Sequence, residues 1–246
     1  MQYAIVNGVR LEPFKGGKGL CICCNALVVS RFGSINAHHW AHKNVKDCDS
    51  WYEPETEWHR NWKNQFPESF REQSFFDEKA KEHHRADVHT PSGVILEFQN
   101  SSISVEEITS RDQFYKKLIW VVNGSHFSKN IELDYIPNPE DSKLDEYEIT
   151  NTKHCILNFK NEIIKGERLL QIFGFQDLKL KPASGYFSFV WKNQRTSWLE
   201  SKSYIFFDFN DDKFLYLLKR RKQLTQDFLY LKLVSKSDFI AKYSNK

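Results

Sequence analysis

Residues 83–99, HHRADVHTPSGVILEFQ, constrain the fold more than any other stretch of the chain. Thr90-Pro91-Ser92-Gly93 places proline where a β-turn wants φ preset and glycine where the backbone reverses. Alternating residues precede this turn, and the β-branched and aliphatic run Val94–Phe98 follows it, so the segment reads as a β-hairpin. Folding the hairpin brings Asp87 and Glu97, with nine residues between them, to one end of a sheet. Glu97 and Gln99 then share one face, while Leu96 and Phe98 turn to the other and enter a core. A buried, unpaired carboxylate is very costly, and a hard oxygen-seeking cation such as Mg²⁺ or Mn²⁺ would relieve a pair of them.

A second signature lies near the N-terminus. Cys21 and Cys24 are separated by two residues, as are His39 and His42, with fourteen residues between the pairs. Two knuckles of soft ligands joined by a short hairpin suit tetrahedral Zn²⁺. Leu27-Val28-Val29 supplies a strand between them and Gly33 a turn. Cys23 and Cys48 leave the ligand set open, because Cys48 in place of His39 makes a Cys3His site. Five cysteines, an odd number and mostly clustered, point to metal ligands in a reducing cytoplasm rather than to disulfides; Cys155 stands apart and reads as a packed residue. The N-terminus shows no basic-then-apolar leader, and no stretch approaches the roughly 20 apolar residues of a membrane span, so the expectation is a cytoplasmic protein with no membrane partner.

With 246 residues, 40% hydrophobic, the chain can build one large or two modest cores. Its net charge of +3 permits an anionic partner without requiring one. The expected organisation is an N-terminal metal module over 1–50, an α/β core over 51–124 and a mixed region over 125–246. Asn7-Gly8 between apolar triplets predicts a first hairpin. A helix is expected over Glu53–Gln65, Pro54 in its first turn and Trp58 and Trp62 on one buried face, with Glu57 a candidate to face the acidic end of the hairpin. Residues 69–76 read as a strand and 77–82 as a charged linker. Ser104 caps a helix running to about Lys117, and Leu118–Val122 is a strand buried on both faces. The element order is helix, three strands, helix, strand. Further on, Tyr204–Phe209 reads as a strand, Asn210-Asp211-Asp212 as the cap of a helix to about Lys222, and Phe228–Val234 as a strand. Lys219-Arg220-Arg221-Lys222 then falls in a last helical turn, where basic side chains complement the dipole. Trp191 and Trp198 read as core.

The combination CxxC, HHWAH, ETEWHRNWK, HHRADV, EFQNSSIS and Arg111-x3-Tyr115 before IWVV, spanning 18–123, resembles the competence CoiA-like family. That resemblance implies a nuclease core of the PD-(D/E)xK superfamily, whose helix–three strands–helix–strand order is the one above. It implies Glu57 as the first-helix acid and Asp87 and Glu97 as Mg²⁺ or Mn²⁺ ligands, with the Phe98 backbone carbonyl as a further ligand. The superfamily's usual lysine two residues after the second acid is replaced by Gln99, a form that also occurs in the family, and Gln99 would orient the attacking water. His84, Arg111 and Tyr115 become candidate phosphate contacts. The implied partner is DNA, in processing during natural transformation or in phage defence, with protein partners from the same operon. Two other readings are a catalytically silent zinc-containing DNA-binding protein on a nuclease fold, and a purely structural zinc protein.

Overall fold

Asn7 and Gly8 turn the first hairpin at positive φ (51° and 80°), joining β1 (Ala4–Val6) to β2 (Val9–Leu11). The computed structural model describes residues 1–33, 37–43, 48–151, 155–166, 174–194 and 197–244. They form a mixed α+β protein with few helices. The hairpin continues through β3 (Lys18–Leu20), β4 (Leu27–Arg31) and β5 (His39–His42) into an antiparallel sheet of order β2-β1-β3-β4-β5. A Cβ on Gly19 would lie 2.9 Å from the Ile5 carbonyl oxygen, so β3 reaches β1 only because that position is glycine. Trp40 fills the sheet's core and donates its indole N–H to the Leu11 carbonyl at 3.0 Å.

Helix α1 (Glu57–Lys63) is shorter than its apolar spacing suggests. Thr56 is the N-cap, and the His59 side chain closes a capping box with it, so Glu53, Pro54 and Glu55 lie before the helix and not in its first turn. Strands β6 (Arg71–Asp77), β7 (Glu82–His89), β8 (Ile95–Gln99) and β9 (Leu118–Asn123) follow, in spatial order β9-β8-β7-β6. Residues 78–81, expected within a linker, are instead a tight turn closed by Asp77 Oδ1, which accepts from the backbone N–H groups of Lys79 and Ala80. Helix α2 (Val105–Phe114), capped by Ser104, makes the crossover that sets β9 parallel to β8. Every residue of β9 is buried, as its unbroken apolar run requires. Leu96 and Phe98 face the core, where the Phe98 ring stacks on Trp62 at 5.5 Å and Phe66 at 6.2 Å.

The chain divides into two compact units. The first joins Met1–Asn123 with Thr196–Ile205 and Ser237–Lys246; Trp198 packs against Trp120 at 5.4 Å and Phe239 against Trp62 at 6.1 Å. The second comprises Gly124–Arg195 and Phe206–Lys236. It contains β10 (Ile131–Tyr135), the pair β11 (Tyr147–Thr150) and β12 (Ile156–Phe159), then β13 (Tyr186–Trp191), the end of β14 (Tyr204–Asp208), β15 (Phe214–Arg221) and β16 (Phe228–Ser235). Trp191 and Trp198 are core, as expected, and Cys155 is half-buried against the cluster around Leu157 and Tyr230.

The helix expected after Asn210-Asp211-Asp212 is absent. Asp211 Oδ1 accepts from the N–H groups of Lys213 and Phe214, and Asn210 sits at φ 65°, so residues that would cap a helix instead turn a hairpin. Pairing of β15 with β16 over eight residues outweighs the local helical preference of Leu and Lys. The basic run is thereby divided. Arg221 is buried and donates to the carbonyls of Pro139 (2.5 Å) and Leu144 (2.8 Å), while exposed Lys222 pairs with Asp227. Among the described residues no helix is long and apolar enough to cross a membrane. Arg221→Ala, which orphans two buried acceptors, is expected to cost about 2–3 kcal/mol in urea unfolding, against less than about 0.5 kcal/mol for Lys222→Ala.

Candidate metal centre and acidic cavity

The turn after β3 presents Cys21 and Cys24, β5 presents His42, and Cys48 follows. Their ligand atoms lie within 4.8 Å of one another, a cluster that could hold a metal ion. Cys24 Sγ is 3.3 Å from His42 Nε2, and Cys21 Sγ is 3.8 Å from Cys48 Sγ. The Cys23 N–H points at Cys21 Sγ (3.4 Å), the backbone contact that stabilises a thiolate. Hydrogen bonds from Cys23, then Cys48, hold the Cys21 thiol far below its ordinary value against the opposing effect of burial. His39 is not part of the cluster, because on β5 it lies an odd number of residues from His42 and projects from the opposite face, where its Nδ1 is 2.9 Å from the Ala37 carbonyl; Cys48 takes the fourth place. The Cys3His donor set is compatible with structural zinc.

The hairpin turn also forms as expected, with Gly93 at φ 77°. Strands β7 and β8 pair at Val88↔Leu96 and His89↔Ile95, and there the backbone ladder stops. Beyond it, Asp87 and Glu97 occupy opposed positions and cross-link the strands through their side chains. The Asp87 N–H donates to Glu97 Oε1 at 3.3 Å, and the Phe98 N–H donates to Asp87 Oδ2 at 2.9 Å. The opening strands expose both carboxylates to a small cavity of about 50 Å³, also lined by Phe98, Gln99 and Arg111.

Six carboxylates line this cavity, from Asp49, Glu53, Glu55, Glu72, Asp87 and Glu97. Lys63, 3% exposed at the end of α1, reaches Glu55 at 2.6 Å, Glu72 at 2.9 Å and Asp87 Oδ1 at 3.9 Å. Burial alone would lower its pKa, but Glu55, Glu72 and Asp87 raise it above the ordinary lysine value, so the ammonium stays charged. Glu97 is pushed up to about 8 by burial and by the Asp87 charge, although Arg111 donates to it at 3.0 Å. Asp87 is also raised, by burial. Two carboxylates that resist joint ionisation, one of them with an oxygen facing open cavity, fit a divalent cation completed by water. Among the described residues, however, three or more donors within coordinating reach of one another occur only in the Cys/His cluster.

Several expected residues lie elsewhere. Glu57 is exposed and does not line the cavity, because the cap at Thr56 turns it outward; Glu53 and Glu55, just before the helix, line the cavity instead. His84 is buried under Trp51 in a parallel stack (3.3 Å between ring centres), its Nδ1 3.2 Å from Asp49, which makes it a support for the cavity wall and not a phosphate contact. Tyr115 is 5% exposed among Trp51, Phe75 and Phe114, again away from the cavity. Arg111 is present but turned inward, bridging Glu97, Glu107 and the Trp51 carbonyl. Gln99 faces the cavity with its amide nitrogen 3.4 Å from Ser101.

Sequence reasoning missed Lys63, Glu55, Glu72 and His59. The available signal was helical spacing: His59 and Lys63, at i and i+4, adjoin the Trp58–Trp62 row and share its inward face. His59 Nε2 lies 3.1 Å from Glu53, which accepts from the N–H groups of Ser101 (2.5 Å) and Asn100 (3.3 Å) and so ties the approach to α1 to the end of β8. Glu72 adopts φ 47°, a left-handed conformation that costs a non-glycine residue about 1 kcal/mol or more; its carboxylate is thereby able to accept from the Gln2 and Tyr3 N–H groups while pairing with Lys63.

Scans against protein-family models, curated proteins and solved structures found no match to this chain.

Two measurements test this geometry. Purified protein is expected to carry close to one metal ion per chain by elemental analysis, lost in Cys48→Ser and retained in His39→Ala and Cys23→Ser; loss in His39→Ala with retention in Cys48→Ser would reverse the ligand assignment. Glu55, held at about 2 against an ordinary 4.5, contributes stability that is complete above about pH 4.5 and disappears as pH falls toward 2. Glu55→Gln is therefore expected to lower stability at pH 7 and to flatten its fall between pH 4.5 and 2, followed by urea unfolding across that range.

Proposed function

We propose that the chain is a metal-dependent nuclease that hydrolyses phosphodiester bonds of DNA, built on a PD-(D/E)xK-type core resembling that of the CoiA-like family and carrying a structural zinc at Cys21, Cys24, His42 and Cys48. The observation that carries the reading is the meeting of Asp87, Glu97 and the Lys63 ammonium where β7 and β8 part. Paired carboxylates beside a buried, permanently charged lysine are the groups that metal-assisted phosphoryl chemistry needs. The helix–three strands–helix–strand order of α1, β6, β7, β8, α2 and β9 agrees with it.

Asp87 and Glu97 would hold Mg²⁺ or Mn²⁺, with the Phe98 carbonyl as a further ligand. When bound, the ion lowers the pKa of an attacking water and offsets charge on the phosphate. Lys63 replaces the lysine that Gln99 displaces from the usual motif position, approaching from α1 instead of β8. As the water oxygen bonds to phosphorus and the P–O ester bond breaks, its ammonium stabilises the negative charge gathering on the phosphate oxygens. Gln99 orients the water. Arg111 acts as a positioning residue, fixing the Glu97 carboxylate. The second acid of the cavity wall, Glu55, keeps Lys63 charged and aimed.

The test is cleavage of supercoiled plasmid and labelled single-stranded DNA with Mg²⁺, Mn²⁺ or EDTA. Wild-type protein is expected to cut only with metal, and Glu97→Ala and Lys63→Met to lose about 100-fold or more while circular dichroism remains native. Full activity in Lys63→Met would remove the lysine from the mechanism. A wild type that retains DNA in EDTA yet cuts no substrate would leave a silent binding module.

A further inference from the structure

At the other end of β8 and β9 from the acidic cavity lies an open groove of about 490 Å³, sharing no lining residue with that cavity among the described residues. It falls wholly within the first unit. Its walls carry Lys116, Lys117, Lys202 and Lys242 with Tyr204 and Tyr243, and no carboxylate among the described residues lines it. In a chain whose net charge is +3, four lysines around one groove are a local concentration of positive charge. Lys116 and Lys202 are exposed, and neither forms an ion pair among the described residues. Lys117 donates to the Ser92 carbonyl at 3.2 Å, and the Lys242 ammonium lies 5.2 Å from the Tyr243 ring centre; neither has an acidic partner among the described residues.

The wall that bears Lys202 and Tyr204 is built and anchored. Asp112, the nearby acid on α2, is fully engaged beneath it: it accepts from the Ser201 hydroxyl (2.9 Å), the Lys202 N–H (2.9 Å), the Ser203 hydroxyl (2.7 Å) and the Trp120 indole (3.3 Å). Its charge therefore pins the 201–203 segment and leaves the lysines unneutralised. Tyr204, next along, is 60% exposed, a large aromatic face offered to solvent where burial would ordinarily be favoured. Spaced ammonium groups around an exposed aromatic ring are the chemistry of single-strand nucleic-acid recognition: cations follow phosphates, and a ring stacks an unpaired base whatever its identity.

We propose that this groove binds a single nucleic-acid strand, its phosphates against Lys116, Lys202 and Lys242 and a base stacked on Tyr204. Its role, holding substrate away from the point of cleavage, rests on the nuclease reading of the acidic cavity; the binding itself does not.

The experiment measures fluorescence anisotropy of a labelled 20-nucleotide single strand, as DNA and as RNA, with full-length protein in EDTA over a salt series. Three variants are compared with wild type: the triple Lys116→Glu/Lys202→Glu/Lys242→Glu, Tyr204→Ala, and a charge-matched triple at exposed lysines of the second unit, Lys143→Glu/Lys179→Glu/Lys181→Glu. The groove triple is expected to weaken binding at least tenfold and to reduce the slope of log K against log salt by about two, at roughly 0.7 per phosphate contact. Tyr204→Ala is expected to weaken it about fivefold or more, and the control triple to leave it within about twofold. Equal loss in both triples, no loss in the groove triple, or no binding by wild type overturns the proposal. So does a groove triple that binds the strand normally but no longer sediments with phosphatidylserine vesicles, which would make the groove a membrane contact. A wild type that binds through the groove yet cuts nothing in Mg²⁺ removes the nuclease reading alone; normal cutting and normal binding by the groove triple remove the groove alone.

Discussion

The interaction on which the first unit depends is the pair of side-chain bridges across β7 and β8, Glu97 accepting from the Asp87 N–H and Asp87 accepting from the Phe98 N–H. Each residue uses its own hydrogen-bonding capacity to replace the backbone pairing that stops at Val88 and Leu96. Strands that continued to pair would leave no room between them; strands that parted without side-chain partners would strand buried N–H groups at a cost of about 1–3 kcal/mol each. The carboxylates satisfy those donors and in the same act face one another across a cavity. Their mutual repulsion follows from that geometry, and together with burial it raises the pKa of Glu97.

The remaining charges form around this pair. Lys63 would not survive burial alone, and Glu55, Glu72 and Asp87 would not survive it without Lys63. A buried cluster of this kind adds little net stability relative to a hydrophobic one, but removing any one partner leaves the others as uncompensated buried charges. Glu72, held at φ 47°, accepts backbone strain to keep its carboxylate on the lysine. Beneath the cavity the Trp62, Phe66 and Phe98 rings provide a rigid floor, and the His84–Trp51 stack with Asp49 provides a wall. The Cys/His cluster lies just before Asp49 in sequence, which places metal binding at one site next to a structural support of the other.

The hairpin over β7 and β8, the buried run of β9, the Asn7-Gly8 turn and the Cys21/Cys24 knuckle were legible in the sequence because each rests on local chemistry. Turn residues, strand periodicity and ligand spacing act over a few positions. The errors have a common cause. The end of the Asp211 turn was read as a helix because its capping chemistry is local and ambiguous, whereas pairing of β15 with β16 depends on residues 228–235. Glu57, the first-helix acid that the resemblance implies, stays off the cavity because the boundary of α1 is set by the Thr56–His59 capping box, one turn later than Pro54 suggests. Cys48 stands in the cluster and His39 does not because the strand formed by residues 39–42 turns His39 and His42 to opposite faces.

The sequence by itself determined that Asp87 and Glu97 would meet, that Leu96 and Phe98 would be core, and that Cys21, Cys24 and His42 would gather with one further ligand. Only the tertiary structure decided which cation answers the carboxylates and which side chains stand on the walls. Lys63 and Glu72 are nine residues apart on different elements, and Lys116, Lys202 and Lys242 are distributed over most of the chain. Electrostatic neighbours of this sort leave no periodic trace, because charge acts through space over several ångströms while sequence patterns record only what is close along the backbone.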